Sequence, residues 1–88
     1  MKIKSGFLLR EIADTYIVVP IAERVIEFKG MMVLNDVSAS VWSFLSDHKS
    51  YEEILTHILD TFEIDRQTAV SDLNNLIEQM EASGVLEK

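Results

Sequence analysis

The hydrophobic pattern of this chain changes period once, between Leu34 and Asn35, and that change limits it to a fold with strands first and helices after. Before it, β-branched and aromatic residues come in short runs broken by turn chemistry, the mark of strands. Phe7 to Ile12 meets Ala13-Asp14-Thr15, where a short polar side chain can bond its own backbone and reverse the chain. Tyr16 to Val19 then runs to Pro20, which has no amide hydrogen for a ladder and so ends the strand or places it at an edge. A third run, Arg24 to Phe28, alternates Ile26 and Phe28 with Glu27 and Lys29, so one sheet face is expected to be wet. Lys29-Gly30 supplies a tight reversal into Met31 to Leu34, completing a second hairpin.

After the switch, apolar residues recur at helical spacing. Asn35 or Asp36 caps a first helix with the stripe Val37, Val41, Phe44 and Leu45. Ser50-Tyr51-Glu52-Glu53 is a capping box, in which hydroxyl and carboxylate satisfy each other's backbone donors, and it opens a second helix bearing Ile54, Leu55, Ile58, Leu59 and Phe62. Asp65 caps a third, longest helix with Ala69, Val70, Leu73, Leu76, Ile77 and Met80 on one side. Gly84 is expected to end that helix in a left-handed conformation, with Val85 and Leu86 folding back. The expected fold class is α+β: antiparallel β-hairpins of three to four strands, then three helices, of which the second and third form a helix-turn-helix. Residues 1–88 read as a single domain, without internal repeat or linker.

Composition removes whole classes of chemistry. With 48% hydrophobic residues the chain has enough apolar material for one core. The absence of cysteine excludes disulfides, thiolate metal sites and a cysteine nucleophile. No apolar run reaches the roughly 20 residues of a membrane span, and Met1 to Phe7 does not resemble a signal peptide, so a cytoplasmic protein without membrane attachment is expected. The net charge of −7 is unevenly spread: residues 1–30 carry net +1 and residues 31–88 net −8. That distribution repels nucleic-acid phosphate.

The residues that could carry chemistry read as structural. His57 lies four residues after Glu53 and three before Asp60, so the three share a helix face. They match no zinc spacing and lack ligands from a second element, so surface chemistry is the better reading. None of the eight serines lies in a G-x-S-x-G turn, and the three glycines are isolated, which leaves no phosphate-cradling loop. Trp42, one position off the first helix's stripe, reads as a core residue. Met31 and Met32, adjacent on a strand, must face opposite sides, a hint of a second adaptable surface. No catalytic, metal or cofactor site is expected.

Leu9-Arg10-Glu11-Ile12, Val18-Val19-Pro20, Met32-Val33-Leu34-Asn35-Asp36 with Ala39 and Val41-Trp42, Glu52-Glu53-Ile54 and Asp72-Leu73 carry a resemblance over nearly the whole chain. Taken in that order, the chain resembles the PqqD-like family, the pyrroloquinoline quinone biosynthesis protein D type of peptide chaperone. It departs from the shorter pattern by the additional segment Ile21 to Gly30. The resemblance implies a winged helix-turn-helix-like, non-catalytic recognition element. Such a domain binds the leader of a ribosomally made precursor peptide as an added antiparallel strand, between a sheet edge and the third helix. It presents that leader to a modifying enzyme, often a radical S-adenosylmethionine protein. The residues then expected to line the cleft are Met31, Met32, Val33 and Leu34 on the strand and Val70, Leu73, Asn74 and Ile77 on the helix, some of them doubling as core. Two alternatives stand beside it. One is a helix-turn-helix DNA regulator, against which the acidic third helix argues, as does the small remainder after Gly84 for a wing. The other is a dimerisation module, a homodimer formed by pairing the sheet edge with its own copy.

Overall fold

The computed structural model describes residues 1–21 and 32–87. Strand β1 (Lys2–Ile3) precedes the hairpin of β2 (Phe7–Ile12) and β3 (Thr15–Pro20), and β4 (Met32–Leu34) leads into α1 (Asp36–Phe44). Helices α2 (Tyr51–Thr61) and α3 (Arg66–Ser83) follow, and β5 (Leu86–Glu87) closes the described chain. Strands β2, β3 and β4 form an antiparallel sheet in that order, while β1 pairs with β5 in a small second sheet. The expected strand Arg24 to Phe28, the Lys29-Gly30 reversal and Met31 lie outside the described residues.

The first hairpin closes through a two-residue loop in which Ala13 and Asp14 both have positive φ, 50° and 67°. This geometry matches the right-handed twist of the flanking strands, so the reversal is a backbone device as much as a side-chain one. Asn35 caps α1, its Oδ1 accepting from the Ser38 amide at 2.8 Å. The capping box of α2 is complete: the Glu53 amide donates to Ser50 Oγ at 3.1 Å and the Ser50 amide to Glu53 Oε1 at 2.9 Å. Asp65 occupies the N-cap position of α3 without a side-chain capping bond, and Gly84 ends that helix at φ 76°.

Val18 and Met32 from the sheet, Val41 and Leu45 at α1, Ile54, Leu55 and Ile58 from α2, and Ala69, Leu73 and Met80 from α3 meet in one core. Each large aliphatic side chain so buried contributes about 1.5–3 kcal/mol, before entropy is counted. On α1 the buried set is Ala39, Val41 and Trp42, with Leu45 just beyond, whereas Val37 and Phe44 are only half-buried. The helix has only nine residues and packs on the sheet and on α2 and α3 together, which widens its contact face from a stripe to a wedge. Trp42 is therefore a core residue, at 7% exposure.

The candidate peptide site

Sheet register dictates which backbone groups of β4 are available. Ile21 donates its amide to the Gly6 carbonyl at 2.9 Å, so residues 6 and 21 form a hydrogen-bonded pair. Such pairs alternate along an antiparallel ladder. With Leu8 opposite Val19, Arg10 opposite Ile17 and Ile12 opposite Thr15, it follows that Thr15, Ile17 and Val19 turn their backbone groups toward β2. Tyr16 and Val18 turn theirs toward β4, where they meet Leu34 and Met32. Pro20 has the same orientation, so its missing donor costs the β2–β3 ladder nothing. Between Met32 and Leu34, Val33 points its N–H and C=O away from β3, and among the described strands none lies on that side.

Side chains on β4 sort by face. Met32 and Leu34 are buried at 2% and 4%, while Val33 is 52% exposed on the outer face of the sheet. On α3, Leu73 is fully buried, Val70 and Ile77 are half-buried against the same core, and Asn74 is exposed. Met32, Leu34 and Leu73 thus share one core. Asn74 Oδ1 accepts a hydrogen bond from the Tyr51 hydroxyl at 2.7 Å, tying it to the first turn of α2. One residue after Tyr51, Glu52 makes a looser link to the same helix: Arg66 of α3 lies 4.0 Å from it in an exposed ion pair. The Tyr51–Asn74 link has no signature in either helix's own pattern, because it depends on how the two helices cross.

Electrostatics at the edge are mild. The Tyr16 hydroxyl is pushed above its usual range, first by Glu11, its cross-strand partner, then by partial burial and by Asp36. A concavity beside that tyrosine is lined by Leu9, Tyr16, Asp36, Ala39, Ser40 and Ser43. A second lies between α1 and α2, lined by Phe44, Glu52, Glu53, Thr56 and His57. Neither contains an expected groove residue. His57, weighed above as a metal ligand, stacks on Phe44 with centroids 4.2 Å apart and has Nε2 2.9 Å from Ser40 Oγ, a packing role between two helices. Among the described residues no group of three or more His, Asp or Glu side chains is placed to hold a metal ion.

The fold coincides with a family pattern. Residues 17–86 match the family described as coenzyme PQQ synthesis protein D (PqqD), and the chain belongs to that family. It is also similar to the solved structure of TbiB1 in complex with the TbiA(beta) leader peptide, at 25% identity and a TM-score of 0.72. That similarity covers 99% of this chain and 95% of the other. No curated protein gives a sequence match alongside these. Among the described residues no helix is long and apolar enough to cross a membrane.

Proposed function

We propose that this chain binds the leader of a ribosomally synthesised precursor peptide by adding it as a strand along β4, beside α3, and presents it to a modifying enzyme. The observation that carries the reading is the likeness, over almost all of both chains, to TbiB1 bound to a leader peptide. Edge geometry supports it: β4 ends the described sheet, and an edge strand offers backbone donors and acceptors for affinity while neighbouring apolar side chains select the incoming sequence. The domain acts by binding rather than catalysis, in the cytoplasm, and the enzyme it serves is of the radical S-adenosylmethionine class. Of the residues proposed for the cleft, Met31 to Leu34 supply the strand edge, Val70, Asn74 and Ile77 offer accessible surface on α3, Met32, Leu34 and Leu73 lie in the core beneath, and the Val33 side chain stands on the outer sheet face.

The leader of a precursor peptide found encoded beside this protein, added as a synthetic peptide to the isotope-labelled chain, would be expected to shift amide signals of β4 and α3. No shift at roughly millimolar leader, where even weak recognition saturates, refutes the proposal. Leu73 is too deep in the core to test the cleft, since truncating such a residue costs about 2–5 kcal/mol of stability. Asn74 is exposed, so Asn74→Glu is expected to stay folded by circular dichroism while leader affinity falls. Should Asn74→Glu and Met31→Glu both bind the leader as tightly as the parent chain, the cleft lies elsewhere.

A further inference from the structure

The outer face of the sheet, opposite the core and the helices, is apolar, and no described element packs over it. Leu8, Ile12 and Val33 are 42%, 59% and 52% exposed there. Ile17 and Val19, which alternate onto the same face, are half-buried. Register aligns Arg10, Ile17 and Val33 in one row across the three strands, and that row ends at Val33, the residue whose backbone groups point out of the sheet. An incoming strand would extend the row by one residue.

We infer that Val33 is a specificity-determining residue: it supplies the backbone pair on which an added strand registers, and its side chain selects an apolar, β-branched or aromatic residue of that strand on the outer sheet face. This rests on the strand addition proposed above and adds a second reading surface, away from α3. The residue opposite Val33 exchanges both hydrogen bonds with it and lies about 5.5 Å away between Cα atoms, so their side chains stand next to each other on the same face. With Val33 and Ile17 as its nearest row-mates, a charge at that position has no counter-charge among the described residues of the row, because Arg10 is two strands further on. The strand residues on either side of it point to the inner face, toward Met32 and Leu34 and the core. The ligand class is therefore a segment apolar on both faces at its centre, rather than one alternating apolar with charged residues.

The test uses a displayed library of random dodecapeptides selected on the full chain, with selected peptides then synthesised. Binding is expected to slow amide exchange at Val33, whose N–H points away from β3 and meets no described strand, with little change at Met32 and Leu34, already bonded to β3. Val33→Ile should bind within about twofold of the parent, and Val33→Glu, which alters an exposed side chain and keeps the fold, should lose about tenfold or more. Placing lysine at each peptide position in turn should recover affinity for Val33→Glu by about threefold or more at one position only, the one opposite Val33. A merely structural role for Val33 gives no such position-specific rescue. Peptides that bind while Val33 exchanges as before, for example with Leu9 on the outer edge of β2 protected instead, overturn the inference and leave strand addition standing. Protection of Val33 with Val33→Glu binding unimpaired overturns its side-chain role. If no peptide is selected, strand addition itself fails and this inference with it.

Discussion

Ala13 and Asp14 take left-handed backbone conformations without the glycine that normally relieves them. Such a conformation costs an L-residue about 1–2 kcal/mol, and here it is tolerated because the two-residue loop is the tightest closure that keeps Phe7 to Ile12 in register with Thr15 to Pro20. Ala13→Gly is expected to stabilise the domain by roughly 0.5–1 kcal/mol, after the greater freedom of glycine in the unfolded chain is subtracted. Urea denaturation measures it, and an unchanged or lower midpoint would show that the loop is not strained as described. At Ser50 and Glu53 the opposite holds, since local chemistry and structure agree. The backbone amide of Ser50, then its hydroxyl, hold the Glu53 carboxyl below the usual glutamate range. Because the folded-state value is the lower one, the stabilisation is complete above the ordinary glutamate range and is lost as pH falls through the depressed value. The parent's stability advantage over Glu53→Gln should be present at neutral pH and shrink below about pH 4, as read from urea midpoints across that interval. An advantage independent of pH would assign the effect to helix propensity instead.

At the scale of elements, what could be read in the sequence divides by range. The β2–β3 hairpin, the α2 capping box and the Gly84 terminus are encoded within a few neighbouring residues and were legible there. Strands β1 and β5 were not: each has two residues, too few for any period, and their partners lie at opposite ends of the described chain. The burial of Val85 and Leu86 was foreseeable from their apolar character, but not the strand that covers them. That closure is reinforced by backbone bonds from Ile3 to the Leu45 carbonyl at 3.1 Å, from Lys4 to the Val85 carbonyl at 2.9 Å and from Lys49 to the Met1 carbonyl at 2.9 Å. Removing residues 1–4 takes away these bonds and part of the cover over Leu45 and Val85, both fully buried. The expected loss is roughly 2–4 kcal/mol, a large part of a small domain's stability, with faster amide exchange at Val85 and Leu86. A truncated chain within about 0.5 kcal/mol of the parent would show that β1 only decorates the fold.

Across the whole molecule, the candidate site was legible in composition but not in geometry. Met32, Val33 and Leu34 all look alike as an apolar run, and only the register with β3 separates Val33, outward in both backbone and side chain, from its two buried neighbours. Asn74 is expected from the sequence only as a cleft residue, whereas the crossing of α2 and α3 gives it Tyr51 as a partner. Charge, in contrast, could be read directly and bears on whether the helix-turn-helix shape can bind DNA. From Asp65 to Ser83, Arg66 is the only basic residue against Asp65, Asp72, Glu78 and Glu81, and it already lies beside Glu52. The Asp65 carboxyl is held below its usual range, first by the Thr68 side chain. A reading helix gains most of its affinity for DNA by neutralising phosphates and releasing their counterions, and an acidic α3 on a chain of net charge −7 reverses the sign of that contribution. Titration of duplex DNA at physiological salt is therefore expected to give no saturable binding at protein concentrations of about 10 μM, above the dissociation constants typical of specific regulators. Lowering the salt should not rescue it, because weaker screening strengthens repulsion between like charges. A sequence-selective shift that tightens as salt is lowered would require a basic surface that the charge distribution does not contain.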